Sequence, residues 1–82
     1  MFRNQHLAEQ VRDIMLEVSS RLDQSVALVR NEGTTEEIEQ YRRCVGQLLG
    51  TIGLDVLNEI FRRHAELKPP GYMLPEDFAK RE

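Results

Sequence analysis

The chain has 82 residues, of which 40% are hydrophobic and 30% charged, with a net charge of −3, a single cysteine and no tryptophan. That length holds one domain and a small aliphatic core. The acidic balance disfavours non-specific attraction to phosphate backbones or anionic lipid, and one thiol excludes an internal disulfide.

The first segment repeats apolar residues at steps of three and four: Leu7, Val11, Ile14, Val18, Leu22, Val26 and Val29. At about 100° per residue these form one stripe, opposite Glu9, Asp13, Glu17, Arg21 and Gln24. The pattern predicts an amphipathic helix over about residues 3–30. Asn31-Glu32-Gly33 then offers a stop, with a glycine just past the last apolar position. Thr34-Thr35-Glu36-Glu37 follows as a capping box, in which the Thr34 hydroxyl serves the Glu37 amide and the Glu37 carboxylate reaches back. Stop and start signals this close predict an antiparallel helical hairpin.

The second helix is predicted over about residues 35–67, carrying Ile38, Tyr41, Val45, Leu48, Leu49, Ile52, Val56, Ile60 and Leu67, with Lys68-Pro69-Pro70 ending it. A break near Gly50 or Gly53 is the alternative. Projected as one uninterrupted helix, Ile38, Val45, Leu49 and Val56 share a direction, while Leu57, Phe61 and His64 lie a quarter turn or more away, beside Gly46, Gly50 and Gly53. That swing predicts a change of packing partner along the helix, the new contacts coming from another chain or from the folded-back tail. Two hairpins joined as a homodimeric four-helix bundle would supply it, with Gly46, Leu49, Gly50, Gly53, Val56, Leu57, Ile60 and Phe61 at the interface and the glycines marking a close helix crossing.

Residues 69–82 contain all three prolines and read as an extended tail, with a single helical turn starting at Pro75. Tyr72, Leu74 and Phe78 are the expected anchors of this tail, either on its own second helix or on another protein. Pro69-Pro70-Gly71-Tyr72 also fits the short proline-proline-any-tyrosine pattern read by WW domains on aromatic grooves.

No constellation for chemistry emerges. The row Glu9, Asp13, Glu17 faces away from the apolar stripe, where carboxylates are solvated. His6 and His64 lack the Glu-x-x-His spacing of metal sites in bundles. His64 suits the dipole at a helix C-terminus, and Cys44 has no arranged base. The basic pairs Arg42-Arg43, Arg62-Arg63 and Lys80-Arg81 build no continuous stripe. The expectation is therefore an all-α, non-enzymatic protein–protein interaction module with neither cofactor nor metal. A nucleic-acid-binding regulator acting as a hairpin dimer and an adaptor presenting its tail as a peptide ligand are the alternatives. The opening residues lack an apolar signal core and no stretch reads as a membrane span, so cytoplasmic localisation without membrane association is expected.

Overall fold

The computed structural model describes residues 1–79, without the side chains of Phe78 and Ala79. The fold is all-α, with two long helical stretches and no strand among the described residues. Helix α1 spans Gln5–Glu32 and helix α2 Thr35–Thr51. A π turn, Ile52–Leu57, continues directly from α2 into the short α3, Asn58–Arg63. A 3-10 turn at Ala65–Leu67 and a last helix, α4, at Pro75–Ala79 complete the order.

Both long helices start on side-chain caps. Asn4 Oδ1 accepts from the Leu7 amide at 3.1 Å, so α1 begins at Gln5 and not near residue 3. At α2 the reciprocal box is complete: the Glu37 amide donates to Thr34 Oγ1 at 3.2 Å and the Thr34 amide donates to Glu37 Oε1 at 2.8 Å. The hydrogen bond from the Thr34 amide, aided by the Thr34 hydroxyl, holds the Glu37 carboxyl below the usual carboxylate range. Gly33 sits between the helices with extended, ordinary dihedrals (φ −90°, ψ 165°). Glycine is needed there for space and not for a positive φ. A Cβ at this position would stand 2.7 Å from the Val29 carbonyl oxygen and 3.2 Å from Val29 Cγ1.

Beyond this turn α2 lies beside α1. Ser25 Oγ and Tyr41 Oη are 2.7 Å apart, and further along His64 Nε2 reaches the Phe2 carbonyl at 2.7 Å. Val45 is buried between the two helices. The main core lies at the far end from Gly33. Ala8 of α1 is fully enclosed, and around it gather Leu57, Ile60, Phe61, Leu67 and Leu74, flanked by Phe2, Val11, Met15, Ile52, Val56 and Tyr72.

The π turn explains how one helix serves this core. The Asn58 amide donates to the Gly53 carbonyl, a step of five residues in place of four. One extra residue in the turn sets the following side chains back by about 100°. Leu57, Ile60 and Phe61, which would drift off the α2 seam in a regular helix, are thereby returned to the side facing α1. The quarter-turn swing in the apolar pattern thus marks a change of helix geometry, and it does not require a second partner. The stretch is neither a regular uninterrupted helix nor two separate helices; its irregular turn begins at Ile52 and takes in Gly53, close to where a break is the alternative.

The helix ends earlier than its apolar pattern extends. His64 leaves the helical region (φ −127°, ψ 75°), and Leu67 is buried from the 3-10 turn. Arg12 Nη1 donates to the Leu67 carbonyl at 3.0 Å, satisfying a group freed by that ending. The tail is not extended. Tyr72 N donates to the Pro69 carbonyl at 3.1 Å across a turn in which Gly71 has φ +81°, the left-handed value suited to glycine. α4 then starts at Pro75, where a missing amide costs nothing.

The crowding at Gly33 makes a direct expectation. Gly33→Ala should lower stability by about 1–3 kcal/mol by pressing a methyl group on the Val29 carbonyl, read as a lower denaturant midpoint. An unchanged midpoint would mean that the turn is looser than described.

Candidate interaction surface

The residues singled out for a packing interface separate into two groups. Leu57, Ile60 and Phe61 are buried by their own chain, so they do not present a face to a second copy. This corrects their assignment to an intermolecular interface, and the physical reason is the rephasing by the π turn. Leu49 and Val56 are half-buried. Gly46, Gly50 and Gly53 border open space: a Cβ built at any of them meets nothing within 4 Å. No backbone of this chain approaches them, and Asp23, Val26, Arg30 and Arg42 line the shallow hollow beside Gly46.

The tail anchors are placed on α3. Tyr72 donates from its hydroxyl to Oδ1 of buried Asn58 at 2.5 Å, and its ring meets Phe61 edge-on with centroids 4.9 Å apart. Leu74 is buried in the main core. Arg62 Nε donates to Glu76 Oε2 at 2.9 Å and Lys68 Nζ lies 3.4 Å from Asp77 Oδ2, tying α4 down at the rim. The Glu76 hydrogen bonds push the Arg62 guanidinium still higher than usual and hold Glu76 below the usual carboxylate range. The Phe78 side chain lies outside the described residues. The tyrosine of Pro69-Pro70-Gly71-Tyr72 is therefore engaged internally, not offered as a free ligand.

The chemistry-bearing side chains do not converge. Asp13 takes two hydrogen bonds from Arg12, and Glu9 lies 3.9 Å from the same guanidinium. His64 is buried; because a carbonyl oxygen only accepts, Nε2 carries a proton and donates to Phe2, leaving Nδ1 facing Glu66 at 3.7 Å. It fastens the N-terminal segment to the core. Cys44 is exposed. Arg62 is drawn to Glu59 and Glu76, which divides it from Arg63; Lys80 and Arg81 lie outside the described residues. No group of three metal-ligating side chains occurs among the described residues.

The surface that does stand out is apolar. Ile14 is 54% exposed, Val18 38%, Leu28 60% and Leu48 52%. Leu7, Ile14 and Val18 lie along one side of α1, displaced from the seam that Ala8, Met15, Leu22 and Val26 direct towards α2. Ser25 and Tyr41 mark the matching side of α2, and Leu48 follows Tyr41 by one heptad. Leu28, Val29, Tyr41 and Cys44 continue this side as a groove near Gly33. This face is opposite the glycine side, where Leu54, four residues after Gly50, is also 61% exposed. Nothing in the periodicity of α1 separates the two, because Ile14 and Val18 sit in the same stripe as the residues that do pack.

One further property departs from the sequence reading: Thr35–Arg63 is long and apolar enough to cross a membrane by length and composition alone. A packed helix meets the same test. Here Leu57, Ile60 and Phe61 are spent on the chain's own core, and Asp55 and Glu59 stand exposed in the same stretch. No family model, curated protein or solved structure matches the chain.

Open space at Gly50 has a measurable consequence. Gly50→Ala should raise helix stability by up to about 1 kcal/mol, since it removes a flexible residue from a helix and meets no neighbour. A higher melting temperature with unchanged molecular mass is expected. A loss of stability would mean that another backbone occupies that side.

Proposed function

We propose that this chain is a non-enzymatic protein–protein interaction module, a helical hairpin that pairs with a second copy to form a four-helix bundle. The observation that carries this reading is the exposed row Ile14, Val18, Leu28 and Leu48 on two long helices whose own core lies at one end. Complete burial of each such side chain is worth about 1.5–3 kcal/mol. Two copies laid face to face would withdraw enough surface for a gain on the order of 10 kcal/mol, which is in the range of the ~4–15 kcal/mol cost of association. A domain of this size with a single cysteine, and so no internal disulfide, also gains from oligomerisation what its own core lacks.

The face suits a protein and not a small molecule or nucleic acid. It is shallow, runs along both helices, and carries aliphatic side chains without a cluster of basic ones. The absence of converging acids, bases or nucleophiles among the described residues supports a binding role. The cytoplasm, where a lone exposed thiol stays reduced, is the compartment that this reading fits.

Sedimentation equilibrium of the full chain at micromolar concentration should give twice the 9.6 kDa chain mass. Val18→Glu combined with Leu48→Glu should weaken association at least tenfold while circular dichroism keeps its helical signal, because both positions are exposed in the single chain. A compact monomer for the parent chain would overturn the proposal.

A further inference from the structure

We infer that the second copy lies antiparallel across the exposed face, with a twofold axis crossing α1 at Val18 and α2 at Leu48. This rests on the self-association reading and adds to it the orientation and register of the partner.

A twofold interface is isologous: if residue i of one copy meets residue j of the other, j meets i. For two copies of α1 packed antiparallel, the apolar positions must therefore mirror one another about a centre. Along the stripe they do so about Val18, with Val11, Leu22 and Val29 half-buried and so shared with their own chain's packing. Four residues to either side stand Ile14 and Leu22, seven to either side Val11 and Ser25, and eleven to either side Leu7 and Val29. The one hydroxyl in that series, Ser25 Oγ, is already bonded to Tyr41 Oη and Leu22 O.

Helix α2 places an exposed apolar residue at the same height. Ser25 stands opposite Tyr41, and a heptad advances both helices by about 10.5 Å. One heptad from Ser25 is Val18, and one heptad from Tyr41 is Leu48. Both are exposed apolar residues. An axis across the two helices at this height lets Val18 meet Val18 and Leu48 meet Leu48, with neither left against water.

Charge and area agree. Glu17 and Arg21 are exposed and hold no ion pair among the described residues. In this register Arg21 of one copy comes within two residue positions, ~3 Å along the axis, of Glu17 of the other. The 28 residues of α1 are ~42 Å long, and two helices abreast are ~20 Å wide. The resulting face of ~800 Å² equals what each partner commonly buries in a stable complex.

The arrangement is tested by spin-label distances on the full chain carrying Cys44→Ser, with single labels at Gln10→Cys, Ser20→Cys or Asn31→Cys. All three positions are exposed. The separation between copies should be shortest at position 20, longer at 10 and longest at 31, growing by ~3 Å for each residue away from Val18. Equal separations at all three positions would establish a parallel pair and overturn this geometry, as would a minimum at 10 or 31. Both results leave self-association standing. Absence of any distance between copies, with a sedimenting mass of one chain, would remove both proposals together.

Discussion

The arrangement of this molecule depends on one extra residue in one helical turn. Within Ile52–Leu57 the backbone hydrogen bond steps by five, and all side chains beyond it are rotated back by about 100°. Without that rotation, Val45 and Ile52 would face α1 while Ile60 and Phe61 pointed aside. With it, Leu57, Ile60 and Phe61 meet Ala8 and Val11, and the buried pair His64 and Asn58 come within reach of Phe2 and Tyr72. The N-terminal segment and the tail both fasten on the stretch that the π turn aims.

A consequence is an uneven distribution of stability. The end holding Ala8, Ile60 and Phe61 has a dense core, buried side-chain polar groups that are all partnered among the described residues, and ion pairs at its rim. The half nearer Gly33 relies on Val45, the Ser25–Tyr41 hydrogen bond and the Thr34 cap. Exposed Ile14, Val18, Leu28 and Leu48 belong to the stretch that lacks its own third layer. Where the chain covers its helices with its own tail, Leu57, Ile60, Phe61 and Leu74 are enclosed; where it does not, a face remains. Self-association is a reading of that contrast.

Much of the local structure was legible in the residues. The stripe of α1, the Thr34–Glu37 box and the start at Pro75 each follow from period or from cap chemistry, whereas the second helix stops at Arg63, short of the end that Lys68-Pro69-Pro70 predicts. The π turn was not, since it has no residue signature and a 3.6-residue projection assumes it away. Its trace was visible as the displacement of Leu57 and Phe61 from Ile38 and Val45, and of the two sources expected for their contacts, another chain or the folded-back tail, the tail's Tyr72 and Leu74 do pack there. The glycine side, expected at a close helix crossing, borders open space. Ala8 is enclosed at the centre of the core although its small side chain gives it little weight in an apolar pattern. At Gly33 the constraint is crowding against Val29, which no local pattern reveals. Pairings such as Tyr72 with Asn58 and Arg12 with Leu67 depend on tertiary placement and leave no local sign.

The role of the π turn is open to a single decisive measurement. Leu54 lies within it and is exposed, so deleting this one residue should convert the turn to regular α-helix while leaving Leu57, Ile60 and Phe61 directed at α1. The shortened chain is expected to melt cooperatively, within about 1 kcal/mol of the parent or above it, the relief of an irregular turn offsetting a small axial shift. Loss of cooperative melting would show that the phase of the helix is set by something other than the inserted residue.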